Sequence, residues 1–289
     1  MEEADYPSLY QSADRASKRT QKYYLISLGT FICSLVLSSI VTQYAPKEAE
    51  WSIVSTILLI ITLLLTIFNG VKRFDNIWYN GRAVAESVKT RTWRFIMQTE
   101  PYQDLGDYSD KAKKFNNDIS EILKENKSLG NYLDNTYDSD SITKKMVEIR
   151  SLSLNDRKSL YKTDRLEDQK NWYITKANLN NRNAKIWFTL LIATNSIAII
   201  FSFIKILHPK KEGFPIEPLI VIASSILSWM QIKRFQELGS SYNLTAHEIN
   251  LFRQNIDYCT NEREFSDFVK DSENAFSREH TQWVARKDK

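Results

Sequence analysis

A long uncharged run ends in a basic pair and a phenylalanine in WSIVSTILLIITLLLTIFNGVKRF, residues 51–74. An α-helix rises ~1.5 Å per residue, so about 20 apolar residues cross a hydrocarbon core of ~30 Å. The uncharged part of this stretch is therefore long enough to span a membrane. Because the triplet KRF returns at 233–235, we expect a second membrane-spanning run to end there in the same way.

Three further runs resemble this one in length and composition. Residues 23–46 and 186–204 contain no Asp, Glu, Lys or Arg, and residues 213–232 contain a single charge, that of Glu217. The last run is the weakest, and a buried soluble helix is the alternative interpretation for it. We predict four spans, at about 23–45, 51–71, 186–206 and 215–232.

Basic residues stand at four edges of these runs. Lys22 and Lys185 precede the first and third spans, and the KRF triplets follow the second and fourth, whereas the predicted hairpin tips mix Lys with Glu. An excess of Lys and Arg marks the cytoplasmic side of a membrane. We therefore expect both termini and the long middle segment in the cytoplasm, with four anchors at the inner leaflet: Lys72, Arg73, Lys233 and Arg234.

The chain repeats itself at long range. YQSADRASKRTQKYYL (10–25) aligns with YITKANLNNRNAKIWF (173–188), so that Arg19 meets Arg182 at an offset of 163 positions, and the KRF triplets meet at an offset of 161. Self-similarity of this kind indicates a duplicated structural unit. We predict three regions: a two-span unit over 1–102, a polar and partly flexible helical connector over 103–157, and a second two-span unit over 158–289.

These patterns predict an all-α membrane protein with two duplicated transmembrane helical hairpins, whose long helices extend into a cytoplasmic helical bundle. The run 50–98 is expected to be one nearly continuous helix. Its cytoplasmic half needs a partner helix, because it places apolar residues at helical spacings: Phe74, Ile77, Trp78, Val84, Ala85 and Val88. In the connector we expect short helices near 115–125 and 142–152, with disorder near 126–140.

The sequence contains little that indicates catalysis. It has neither a phosphate-binding glycine loop nor a nucleophile elbow, and His208, His247 and His280 form no metal-binding pattern. Glu279 and His280 are adjacent, so on a helix they point about 100° apart and do not face each other. We expect no catalytic residue, no metal and no cofactor, and a membrane-anchored enzyme is the least favoured class. The net charge of +4 is mostly membrane flanking, so we expect no nucleic-acid partner.

Polar side chains follow one face of several predicted spans. In the first span they recur at steps of three and four residues, which keeps them on one helix face, and the third span places an amide near its middle. The candidate residues are Ser27, Thr30, Ser34, Ser38, Thr42, Ser55, Thr62, Thr66, Asn69, Asn195, Ser224 and Ser228. One interpretation is tight helix association through small hydroxyl residues. The other is a weakly selective, hydroxyl-lined water path that forms when chains assemble into homo-oligomers.

Four segments in this order resemble a known family: YPSLYQSADRASKRTQKYY (6–24), GRAVAESVKTRTWRFIMQTEPY (81–102), DRLEDQKNWYITKANLNNRNAKIWF (164–188) and AFSREHTQWVARK (275–287). Together they are similar to tandem SLATT domains, the SMODS- and SLOG-associating two-transmembrane effectors of bacterial conflict systems. The resemblance implies one helical hairpin per domain in the bacterial inner membrane. It also implies a pore-forming antiviral effector that acts as an ion channel on receiving a signal.

The resemblance further implies partners: the lipid bilayer, further copies of the chain, and a nucleotide second messenger or sensor protein encoded nearby. It assigns cytoplasmic packing or gating roles to eight positions: Glu86, Trp93, Arg94, Trp172, Tyr173, Arg278, His280 and Trp283. The alternative function is a non-conducting membrane scaffold or receptor that recruits a soluble partner through its cytoplasmic helices.

Overall fold

The structure is a computed structural model that describes residues 1–103, 106–134 and 140–285, with side chains up to residue 277. The chain is 84% helical, and the described residues contain no strand. The α-helices are α1 (Ser8–Tyr44), α2 (Ala49–Lys72), α3 (Phe74–Ile96), α4 (Tyr108–Glu125), α5 (Lys144–Arg150), α6 (Leu154–Tyr161), α7 (Asp168–Leu207), α8 (Ile216–Lys233), α9 (Phe235–Phe252) and α10 (Glu262–Ala285).

The chain divides into two compact units. The first, here called the polar unit, comprises residues 1–23, 73–170 and 247–289. The second, here called the span unit, comprises residues 24–72 and 171–246. Four helical stretches are long and apolar enough to cross a membrane: Ser8–Tyr44, Ala49–Ile96, Leu154–Leu207 and Ile216–Tyr258. The all-α class is confirmed, and each of the four predicted spans, including the weak fourth, lies in a helix long and apolar enough to cross a membrane.

Both KRF triplets interrupt a helix at a single residue. Arg73, between α2 and α3, has a φ of 45°, and Arg234, between α8 and α9, has a φ of 48°. These are left-handed conformations, which a non-glycine residue adopts at a cost. The N–H groups of Asn76 and Ile77 bond to the Arg73 carbonyl and restart the helix. The stretch predicted as a nearly continuous helix over 50–98 is helical from Ala49 to Ile96, with one interruption at Arg73.

The polar unit is built around α3. This helix packs against α4, α5 and α10, and it buries Trp93, Phe95 and Ile96 completely. The apolar face predicted between Phe74 and Val88 has the partner it needs, because Ser17 on α1 donates a hydrogen bond to the Trp78 carbonyl at 3.0 Å. Gly81 allows the two helices to approach closely there, since a Cβ at that position would lie 3.1 Å from the Ala13 carbonyl oxygen.

The connector is helical where short helices were predicted, in α4 and α5. Within the segment 126–140, where we expected disorder, residues 126–134 make definite contacts. Leu129 is buried there, and Asp134 forms an ion pair with Arg15 at 2.7 Å. The Tyr132 carbonyl accepts a hydrogen bond from Arg19 at 2.8 Å. The remaining part of that prediction, residues 135–139, lies outside the described residues.

Candidate functional site

The hydroxyl face of α1 lies against α2 within the span unit. Ser34 and Ser38 are buried, and Ser38 donates a hydrogen bond to the Ser55 carbonyl at 3.3 Å. Ser27 on α1 and Thr62 on α2 are also buried. Small side chains let the two backbones approach closely. At Ser38, the predicted polar face of α1 therefore contacts the second helix of its own hairpin.

The other predicted span residues differ in exposure. Ser55 and Asn69 are partly exposed, and six are exposed in a single chain: Thr30, Thr42, Thr66, Asn195, Ser224 and Ser228. Several of the hydroxyls bond within their own helix; Thr30, for example, donates to the Ile26 carbonyl at 3.0 Å, and Thr66 to that of Thr62 at 2.8 Å. Such internal bonds lower the cost of facing lipid. A pore-lining role for any of these residues stays a prediction.

Asn195 on α7 has more hydrogen-bonding groups to satisfy than the exposed hydroxyl residues, because its side chain is an amide. Its side-chain nitrogen donates to the Leu191 carbonyl at 2.9 Å, which uses one of its two N–H groups. The second N–H and the amide oxygen point away from that bond, and lipid offers them no hydrogen-bond partner. Polar side chains within spans usually face a protein partner or water.

The basic residues that follow the second and fourth predicted spans differ in their contacts. Lys72 and Arg73 are exposed at the end of α2. In the second copy, Lys233 lies with its ammonium group 5.6 Å from the centre of the Trp229 ring, and the Arg234 guanidinium forms two hydrogen bonds with Glu237, at 2.7 and 2.5 Å. The first edge therefore presents its basic groups to the surroundings, as a phosphate anchor requires. Inner-leaflet anchoring remains a prediction.

The core of the polar unit contains a buried ion pair that the sequence patterns did not indicate. Arg165 makes two hydrogen bonds to Glu273, at 2.8 and 2.7 Å, and the two side chains are only 1% and 0% exposed. Tyr161 donates to the same carboxylate at 3.0 Å. Burial by itself lowers the pKa of Arg165, but the Glu273 carboxylate outweighs that effect and raises it. The Arg165 guanidinium is therefore charged at every physiological pH.

Trp93, one of the positions assigned from the resemblance, lies beside this pair. Its indole N–H donates to the Tyr6 hydroxyl at 2.9 Å, and the Arg165 guanidinium lies 5.9 Å from the centre of its ring. Burial raises the pKa of Tyr6, so its hydroxyl stays protonated. Trp93 thus links the N-terminal segment to the central helix α3.

The other assigned positions are divided between the polar unit and the span unit. Arg94 reaches α10, where it donates to Asn274 at 2.5 Å, and burial lowers its pKa. Glu86 pairs with Arg82 at 3.1 Å on the same helix. In the span unit, the rings of Trp172 and Tyr173 contact Tyr242 with centroids 5.5 and 5.7 Å apart. Three assigned side chains lie outside the described part of the chain: Arg278, His280 and Trp283.

Two further arginines close the C-terminal end of α3. Arg150 donates to the carbonyls of Phe95 and Tyr102, and Arg157 donates to that of Met97 at 2.8 Å. The last carbonyls of a helix have no partner within it, so buried ones need donors from elsewhere. Sequence reasoning missed these residues because a basic residue in a polar connector usually stands in solvent.

The described residues hold no cluster of His, Cys, Asp and Glu that could bind a metal. Cys33 and Cys259 are both free. Burial raises the pKa of the Cys259 thiol, so that thiol is largely protonated at neutral pH. A protonated thiol is a poor nucleophile.

Comparison with known families gives two matches. A model of SMODS and SLOG-associating 2TM effector domain 3 matches residues 7–158, and a model of effector domain 1 matches residues 161–283. Searches of curated proteins and of solved structures found no match. The two family matches follow each other along the chain and together confirm the tandem arrangement that the sequence resemblance predicted.

Proposed function

The chain belongs to the SMODS- and SLOG-associating two-transmembrane effector (SLATT) family, and on that premise we propose that it assembles into a membrane pore. The family's domains are associated with bacterial conflict and defence systems. In this proposal several copies of the chain meet in the bacterial inner membrane with their termini in the cytoplasm. Opening of the assembly dissipates the membrane potential and so stops an infected cell.

The observation that carries the proposal is the set of polar groups that a single chain leaves uncovered within its spans. Asn195 on α7 and Ser224 and Ser228 on α8 are all exposed. Ser224 and Ser228 are four residues apart and share a helix face. Water or a neighbouring chain satisfies such groups better than lipid does. When several chains associate with these groups around a common axis, the groups can contact both water and a neighbouring chain.

The hydroxyls of α1 are weaker candidates for the lining than the exposed residues. Ser34 and Ser38 are buried within their own hairpin. A water path along them requires the hairpin to open, whereas a path along Asn195 requires only that chains meet. The proposed lining is neutral, and a neutral lining without a ring of charged side chains selects poorly between ions.

The activating signal is proposed to act on the polar unit. A sensor protein or a nucleotide second messenger made by a neighbouring gene product would bind the open and closed states with different affinities, as any gating ligand must. The family association with SMODS and SLOG partners supports this part of the proposal. The chain itself acts as the effector and has no catalytic role in this scheme.

The proposal is tested in bacteria that carry the complete neighbouring gene set. A potential-sensitive dye should report depolarisation on activation, and Asn195→Leu combined with Ser224→Leu should abolish it while the protein still inserts. Ser38→Ala is the matched control, because it removes a hydroxyl that is already covered within one hairpin. Full depolarisation by the Asn195/Ser224 variant would contradict the proposed lining.

A non-conducting scaffold is the second candidate, and one observation favours it. Leu251 and Tyr258, in the polar unit, are each 77% exposed. Large apolar side chains that stand this far out of a surface are typical of protein contact sites when they cluster. A scaffold would recruit a soluble partner there. It would be supported if activation moved that partner to the membrane without any change in the membrane potential.

A further inference from the structure

Three polar atoms buried in the span unit have no hydrogen-bond partner among the described residues. They are the hydroxyl oxygen of Ser27 on α1, the amide oxygen of Asn69 on α2 and the indole nitrogen of Trp229 on α8. Ser27 is only 6% exposed, so it cannot find bulk solvent. Uncompensated polar groups are costly in any protein interior, and most costly within a bilayer.

Two of these atoms lie at the same level of the first hairpin. The hydrogen bond from Ser38 to the Ser55 carbonyl fixes how α1 and α2 run past each other in opposite directions. Ser27 precedes Ser38 on α1 by as many residues as position 66 follows Ser55 on α2. Ser27 and position 66 are therefore at the same level of the hairpin. That position is within one helical turn of Asn69, because a turn takes ~3.6 residues.

The third atom lies at that level too. Gln43 and Tyr44, at the end of α1, donate to the carbonyls of Phe214 and Gly213 just before α8 begins, both at 3.3 Å. α1 and α8 therefore also run in opposite directions from a fixed point. Ser27 lies about 24 Å of helix before Gln43 on α1. The same number of residues counted forward from Phe214 gives position 230, next to Trp229.

The chemistry of the three atoms is complementary. The Asn69 oxygen accepts a hydrogen bond, the Trp229 N–H donates one, and the Ser27 hydroxyl can do both. None of these side chains is charged, so the set suits neither an anion nor a metal ion. Water both donates and accepts, and it commonly bridges buried polar groups of this kind.

We propose that the level of Ser27, Asn69 and Trp229 is a hydration site within each chain, at the end of the spans marked by the KRF triplets. Water molecules bound there bridge the three side chains. The site differs from the level of Ser38, further along α1, where the Ser38 hydroxyl donates to a backbone carbonyl. It belongs to each chain separately and does not depend on whether assembled chains conduct ions.

Thiol accessibility tests the proposal in the resting protein, reconstituted in sealed vesicles. Ser27→Cys and Ser34→Cys are compared as single cysteines, with Cys33 and Cys259 replaced by Ala. N-ethylmaleimide crosses membranes but reacts with the thiolate, which forms only where water reaches the thiol. We expect Ser27→Cys to react about tenfold faster than Ser34→Cys, a control that is equally buried on α1. Equally slow reaction of both would overturn the proposal.

A second measurement covers the case in which a buried cysteine disturbs folding. Thermal unfolding of Ser27→Ala, Asn69→Leu and the double variant forms a double-mutant cycle. The two side chains make no direct hydrogen bond, so bridging water predicts that each single change lowers the melting temperature and that the double change lowers it by less than the sum. Additive effects, or stabilisation by either single change, would show that the level is dry.

Discussion

At the scale of single residues, the polar unit depends on charges that the sequence does not mark as special. The family resemblance assigns Trp93 a cytoplasmic packing or gating role, and its side chain is completely buried in the polar unit. The Arg165–Glu273 pair beside it could not be predicted, because its members are 108 positions apart and each stands in a run of other charged residues. Only the folded chain distinguishes this pair from residues that face solvent.

Replacing one member of the pair should be far more damaging than replacing both. Glu273→Gln leaves the Arg165 charge buried without a counter-ion, so we expect the free energy of unfolding to fall by about 3–5 kcal/mol. Arg165→Met combined with Glu273→Leu should cost less, because it removes both charges. Chemical denaturation of the protein in detergent measures both effects.

Glu100→Gln is the control for that comparison. Glu100 pairs with Lys270 at 2.5 Å on the surface, where water screens the interaction, and we expect little change in stability. If Glu273→Gln were as mild as Glu100→Gln, the ion pair would not be a stabilising part of this core.

At the scale of helices, the sequence predicted where elements lie better than how they join. The face at Val84 and Val88 was predicted to need a partner and is buried. The break at Arg73 was not predicted, because arginine is a good helix former and rarely adopts a left-handed conformation. The contacts of residues 126–134 were not predicted either, since they involve distant residues, as in the ion pair of Asp134 with Arg15.

Because the helix is interrupted at Arg73, replacement by glycine should change the free energy of unfolding in opposite directions there and within a regular helix. Glycine adopts a left-handed conformation without a Cβ clash, so Arg73→Gly should raise the free energy of unfolding by about 1 kcal/mol. Arg182→Gly, inside α7 on a regular helical backbone, should lower it by about 1 kcal/mol. Thermal unfolding of the two variants side by side measures the contrast. Destabilisation of similar size at both positions would mean that the break at Arg73 is absent in solution.

At the scale of the whole molecule, the features that lie within one continuous window of sequence were the easiest to predict. A long apolar helix is visible in a continuous window of sequence, which explains why four helices long enough to cross a membrane were predicted from composition and length. The duplication was visible too, since the KRF triplets recur and both occupy helix breaks. The orientation of the chain, with both termini in the cytoplasm, is a prediction from its basic residues.

Single cysteines test the orientation directly. Lys211→Cys lies in the second hairpin tip and Lys113→Cys lies in the connector helix α4, and both positions are exposed. In intact cells whose outer membrane admits small molecules, a charged thiol reagent should label Lys211→Cys at once. It should label Lys113→Cys only after the inner membrane is opened. The reverse pattern would invert the proposed topology.

Ion flux through the purified protein measures whether assembled chains conduct ions. Liposomes loaded with potassium and carrying the chain should release it when the product of the neighbouring gene is added. The rate should rise more steeply than in proportion to the amount of protein per vesicle, because several chains form each path. Asn195→Leu combined with Ser224→Leu should abolish the release, and Ser38→Ala should preserve it. Retention of potassium under every activating condition, with the wild-type chain correctly inserted, would contradict the account and favour the scaffold.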